Sequence, residues 1–416
     1  MASTRRIFLR NGAMAAIGTA ALPSFLTRAA LAATSASPST LAGKRLVVIF
    51  QRGAADGLNI VVPHGEAAYY SLRPTLAIPK KDVLDLDGMF GLHPALASLK
   101  PLWDEKRLAI VHAAGSPDPT RSHFDAQDYM ESGTPGVKNT ADGWLNRALN
   151  ASESARGTSD VFRGVALGTA MPRMLSGTAP AVAVGNLSDF GVAPRSPQAQ
   201  PLTETFEAMY ASSVDAVLHG TAQETFDAVK MLRAADPAKY KPAPGANYPK
   251  GRFGDAMRQM AQLMKANLGV QVAFTDINGW DHHVNEGASE GQLANLLREF
   301  GGALAAFYAD LGPLAQDTVI VTMSEFGRTA RENGTRGTDH GHANAIFVLG
   351  GNVRGGKVYG RWPGLADEQL YEHRDLALTT DFRQVLSEAV QRQLNPEHPA
   401  AIFPGFRDPG HLHLLG

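Results

Sequence analysis

Cysteine is absent from the sequence. That removes disulfides, thiolate zinc sites, iron–sulfur clusters and cysteine nucleophiles together. Any metal must rest on His, Asp, Glu, backbone or water. Neither charge is in surplus: 39 Lys and Arg face 40 Asp and Glu, a formal net charge of −1. Nothing in that balance suits a polyanion, so no nucleic-acid partner is expected. Charged residues interrupt every apolar run beyond the N-terminus, and no stable membrane insertion is expected. No G-x-G-x-x-G opens a helix after a strand, which disfavours a dinucleotide-dependent redox protein. What remains is a 416-residue chain, 44% hydrophobic, ample for a full core in one large domain or two smaller ones.

Residues 1–32 carry the pair Arg5–Arg6, a short apolar stretch rich in Gly and Ala, and the small-residue end Ala30-Leu31-Ala32. This reads as a twin-arginine export signal. It predicts a periplasmic or exported protein that meets the twin-arginine translocase on its way out. Residues 33–43 read as a polar, small-residue linker. Residues 44–416 read as one domain with a helical insertion around 197–268.

Continuous apolar runs at 44–50, 108–115, 162–168, 270–276, 317–324 and 344–351 predict buried strands. Stretches 93–107, 122–132, 293–312 and 381–394 predict helices. Strands alternating with helices indicate an α/β three-layer sandwich: a central, mainly parallel sheet with helices on both faces. In such sheets ligands bind beyond the carboxyl ends of the strands.

Polar residues gather at those ends. Asp56 follows the first strand; Thr120, Arg121, Ser122, His123 and Asp125 follow the second; Asp276, Asp281, His282 and His283 follow the strand at 270. Glu325 and Arg328 follow the strand at 317, and Asp339, His340 and His342 lie just before the strand at 344. Five of the 13 histidines fall in these loops. Such a cluster suits hydrolysis assisted by one or two divalent ions, zinc, manganese or calcium. Ser122, at a helix start, suits a nucleophile, and Thr120 less well. Arg121 or Arg328 suits an oxyanion clamp. Each residue also has a plainer reading. Asp56 serves equally as a turn residue, and Ser122 with Asp125 spells a capping box. His123 packs or caps; Glu325 pairs with Arg328; His64, His93 and His112 are structural.

The runs "GAADGLN", "RSHFDAQDYMESG", "DINGWDHHVN" and "DTVIVTMSEFGRT…GTDHGHA" closely resemble the bacterial domain of unknown function 1501, a family placed in the alkaline phosphatase-like superfamily. The resemblance covers roughly residues 44–394. It implies a metal site with Asp56 as early ligand, Ser122 or Thr120 as nucleophile, and Asp281 with His283 as the first pair. Glu325 stands where an Asp-His pair follows its strand, and His340 or His342 becomes the late ligand, near Asp339. The first pair is spaced D-x-H instead of D-x-x-x-H, and the histidine after Glu325 is replaced by Phe326. No C-x-P-x-R or S-x-P-x-R segment is present, which disfavours a formylglycine sulfatase. The implied activity is metal-dependent hydrolysis of a small anionic phosphate or sulfate ester. The alternative is a non-catalytic envelope protein on the same fold that binds a metal, an anion or a partner.

Overall fold

A computed structural model describes residues 43–152, 162–187 and 240–416. The expected export signal, nearly all of the expected linker and the expected helical insertion up to residue 239 lie outside the described residues. From 240 to 268 the expected helical character becomes a single helix, Arg252–Lys265, after an irregular stretch.

The central sheet contains β1 (Arg45–Arg52), β5 (Leu108–Gly115), β6 (Gly164–Leu167), β7 (Ala181–Val184), β8 (Val272–Asn278), β9 (Thr318–Ser324), β10 (Asn344–Gly350) and β11 (Lys357–Tyr359). A two-residue strand, β12 (Thr380–Asp381), adds to β5. The strand order is β11-β5-β10-β9-β1-β8-β6-β7. Only β10 pairs antiparallel with its neighbours among these strands, so the rest share one direction. A small separate sheet joins β2 (Val61–Val62), β3 (Leu84–Asp85) and β4 (Gly91–Leu92).

Alternation along β1 shows why both faces are covered. Val47 and Ile49 enter one core with the helices Arg252–Lys265 and Gln292–Leu311. Leu46, Val48 and Phe50 enter a second core with Trp144–Ala151 and Phe382–Leu394. Side chains two apart share a face, so an unbroken apolar run serves two layers at once. The expected three-layer α/β sandwich is what forms. Among the described residues no helix is long and apolar enough to cross a membrane.

The parallel strands end level with one another: Phe50 pairs with Asp276, and Gln51 with Ser324. The loops after β1, β5, β8 and β9 therefore open on one edge. The loop 339–343 reaches that edge because β10 starts there. Little room separates these loops. Gly53 sits at φ +116°, and a Cβ on it would lie 2.9 Å from the Asp281 amide nitrogen. A Cβ on Gly341 would lie 2.3 Å from the Arg328 carbonyl carbon. Glycine is needed at both points so that backbone can lie against backbone.

Candidate metal centre

Three imidazoles and one carboxylate meet at this edge. His340 Nε2 is 3.0 Å from His123 Nε2, 3.0 Å from His283 Nε2 and 3.2 Å from Asp281 Oδ1. His283 Nε2 lies 3.0 Å from Asp281 Oδ1, and His123 Nε2 lies 3.5 Å from Asp281 Oδ2. The ligand atoms of His123, Asp281 and His340 all lie within 4.8 Å of one another. His283 adjoins this trio across the His340–Asp281 edge.

The far nitrogen of each ring is tied to oxygen. His123 Nδ1 donates to Glu325 Oε1 at 2.7 Å, His283 Nδ1 to Asp339 Oδ1 at 3.1 Å, and His340 Nδ1 to the Arg121 carbonyl at 2.9 Å. Carboxylate and carbonyl oxygens only accept, so Nδ1 carries the proton in all three rings. The Nε2 lone pairs are then the ones presented to a cation, the usual arrangement behind metal-bound histidine. Donors about 2.0–2.1 Å from a tetrahedral zinc ion stand roughly 3.3 Å apart, and the spacings here bracket that value. The donor set fits a divalent transition ion.

Electrostatics agree with the geometry. The hydrogen bond to buried Glu325 raises the His123 pKa, against the opposing effect of burial. Burial lowers the His340 pKa, and the neighbouring His123 and Arg328 charges add to it. At Asp281 burial opposes the charge, but the Arg328 guanidinium outweighs it and holds the carboxyl below the usual carboxylate range.

The other expected site residues fall into three groups. Glu325 and Asp339 sit behind histidines and orient them. Glu325 is fully buried and also accepts from the Gly53 amide at 2.9 Å and from Gln127 Nε2 at 2.8 Å. Asp56 and His342 are not brought to the cluster. Arg73 grips the Asp56 carboxylate through both guanidinium nitrogens, with no exposure of the arginine side chain. Glu286 is buried beside Asp56, and burial next to that charge pushes the Glu286 carboxyl well above its ordinary value. His342 turns away, its Nε2 3.1 Å from the Ser116 carbonyl and its ring against Tyr371.

Both arginines expected at an oxyanion are already engaged. Arg121 bonds to Asp375 at 2.6 Å and Glu372 at 2.7 Å. Arg328 is wholly buried and donates to the carbonyls of Gly53, Ala54, Trp280 and Thr338, and to Asp281. Ser122 does take the N-cap position of the helix His123–Ser132, yet its side chain makes no capping bond and is exposed. The capping-box reading is not realised, and its hydroxyl stands free beside His123.

His123 is a candidate donor that the sequence leaves among packing or capping residues. Its imidazole reaches Glu325 from the start of the helix after β5, 202 residues away in sequence. Glu325→Gln is expected to weaken metal binding by about 10–100-fold, as removal of such an orienting partner typically does, while the fold stays intact. Competition against a chromophoric chelator checks this; unchanged affinity would show that Glu325 does not set the ring.

A family model described as "Protein of unknown function (DUF1501)" matches residues 103–401. No curated protein matches the chain significantly. Solved structures with similar chains include the lipoteichoic acid synthase LtaP from Listeria monocytogenes, with 10% identity over 68% of this chain and a TM-score of 0.30. This chain spans 56% of that one. The C-terminal periplasmic domain of EcEptC from Escherichia coli, in complex with Zn, gives 10% identity and a TM-score of 0.34 over 76% of this chain and 74% of that one. The PsFucS1 sulfatase from Pseudoalteromonas sp. gives 11% identity and a TM-score of 0.37 over 81% of this chain and 68% of that one.

Proposed function

The chain belongs to the DUF1501 family, and from that premise we propose an exported, metal-dependent hydrolase of small phosphate or sulfate esters. One observation carries the reading: three Nε2 atoms and a carboxylate converge, each ring oriented by an oxygen behind it. His123, Asp281, His283 and His340 would hold the ion. Imidazole donors favour zinc over manganese or calcium. With Asp56 held by Arg73 and His342 turned away, the donors present serve one ion better than two. Bound there, the ion supplies Lewis acidity toward an ester oxygen.

The chain's own groups do the rest. Ser122 offers an unengaged hydroxyl one residue from His123 and is the proposed nucleophile. Its oxygen would form a bond to phosphorus or sulfur as the ester's P–O or S–O bond breaks, the hydroxyl proton passing to the departing alkoxide; water would then cleave the Ser122 O–P or O–S bond, restoring the hydroxyl and freeing the anion. The amides at the start of the ten-residue helix His123–Ser132, with that helix's dipole, favour the anionic group. Asp281 is pinned by buried Arg328 and keeps its charge as the pH falls. The resemblance to the alkaline phosphatase-like superfamily supports the same reaction class.

The test is elemental analysis of protein purified without chelator or histidine tag, followed by turnover of a panel of phosphate and sulfate esters. Ser122→Ala is expected to keep the ion and lose turnover by at least about 10³-fold, the scale of removing a nucleophile. Full turnover in that variant would remove Ser122 from the mechanism.

The engagement of Arg121 and Arg328 favours a second reading, a non-catalytic metal- or anion-binding protein of the envelope. A stoichiometric ion without turnover on any ester would select it. Export itself is proposed from Arg5–Arg6 and the Ala30-Leu31-Ala32 end; the exported protein is expected to begin at Ala33.

A further inference from the structure

A cleft of about 460 Å³ adjoins the metal centre, within the roughly 300–1,000 Å³ range of small-molecule sites. Asp339 belongs to both: its carboxylate orients His283 and also lines the cleft. Leu72, Leu365 and Leu370 give the cleft an apolar lining, and Arg331 and Arg374 bring guanidinium groups to it.

The charged groups around this space differ in what already occupies them. Glu332 accepts from the amides of Thr75 and Leu76 and from the Thr75 hydroxyl. Asp367 pairs with His373 at 2.9 Å. Arg374 donates to the His340 carbonyl at 2.9 Å and contacts Asp375 at 3.3 Å. Arg331 is exposed, and its guanidinium has no hydrogen bond or ion pair among the described residues. A planar fork of donors that no carboxylate among the described residues answers thus belongs to the lining of a cleft that is part apolar and part polar. Its complement is a planar anion attached to an apolar or sugar-sized body.

We propose that this cleft takes the leaving-group half of the substrate, an alcohol or phenol that bears a carboxylate, and that Arg331 binds the carboxylate. The inference rests on the hydrolase reading for where the ester bond lies, but binding in the cleft is measurable without turnover. Arg331 is a specificity-determining residue here, and it takes no part in bond breaking.

The experiment measures binding of 4-hydroxybenzoate against phenol, and of glucuronate against glucose, by titration calorimetry on the full chain. Wild type, Arg331→Gln, Arg331→Lys and His340→Ala are compared. The acid of at least one pair is expected to bind wild type at least tenfold more tightly than its neutral partner. Arg331→Gln abolishes that preference, Arg331→Lys restores part of it, and His340→Ala keeps it. Equal binding of acid and neutral probes by wild type would overturn the proposal, as would an unchanged preference in Arg331→Gln. The two readings fail separately: acid preference without ester turnover defeats the hydrolase and leaves the cleft assignment standing, whereas turnover with no acid preference does the reverse.

Discussion

His340→Ala is expected to leave a folded protein that no longer keeps a stoichiometric ion through desalting. The reason is the position of one atom. His340 Nε2 is within 3.0 Å of both other Nε2 atoms and 3.2 Å from Asp281 Oδ1, so its removal leaves only the Asp281 carboxylate between the other two rings. His283→Ala removes an outer member and leaves the trio of His123, Asp281 and His340 in place. The expected order of metal loss is therefore His340→Ala ahead of His283→Ala. The fold is expected to survive, because the contacts of His340 lie within the site and its carrier loop is held by others: Thr329 N to the Asp339 carbonyl at 2.9 Å, and Gly341 N to the Gly327 carbonyl at 2.8 Å. Elemental analysis with a thermal melt on the same sample reads both halves. A retained ion in His340→Ala would end the metal-centre assignment.

Arg73→Ala is expected to cost about 3–5 kcal/mol of stability, the scale for removing one partner of a buried ion pair. Arg73 is completely buried and donates to Asp56, to Asn59 Oδ1 at 2.9 Å, to the Ala330 carbonyl at 3.0 Å and to the Thr329 carbonyl at 2.8 Å. Its loss strands the Asp56 charge beside Glu286, whose carboxyl burial already pushes well above its ordinary value. Asp56→Asn separates stability from metal binding. The geometry requires that it lower the denaturation midpoint and leave the ion bound. Loss of the ion with the midpoint unchanged would restore Asp56 to the ligand set.

The sheet was legible because β1, β5, β8, β9 and β10 are each built on a short apolar run buried on both faces, and such runs need no partner information to be seen. β7 is four residues of Ala and Val, and β11 and β12 are three and two residues long; their strand character comes from docking against neighbours. The helix Trp144–Ala151 escaped for a similar reason: its eight residues gain their helical state from packing Trp144, Leu145, Ala148 and Leu149 into the core.

At the site, Asp281, His283 and His340 were readable as polar residues just past strand ends. His123 was not, because "SHFD" also spells a helix start and its real partner, Glu325, comes from another strand. Asp56 looked like a ligand because nothing local marks Arg73, 17 residues on, as its counter-ion. Arg328 looked like an anion clamp because the sequence does not reveal which carbonyls lie within reach. In each case the deciding contact is long in sequence or made to backbone, and residue spacing is silent about both.

Buried Arg328 bears on how the site is held together. It ties the end of β1 to the Trp280 and Thr338 loops through carbonyls. The loops that carry the ligands are thus held together by a cation the chain makes for itself. The proposed ion would then enter a site whose walls are already in place, and its removal by a chelator is expected to leave the chain folded and able to take up an ion again.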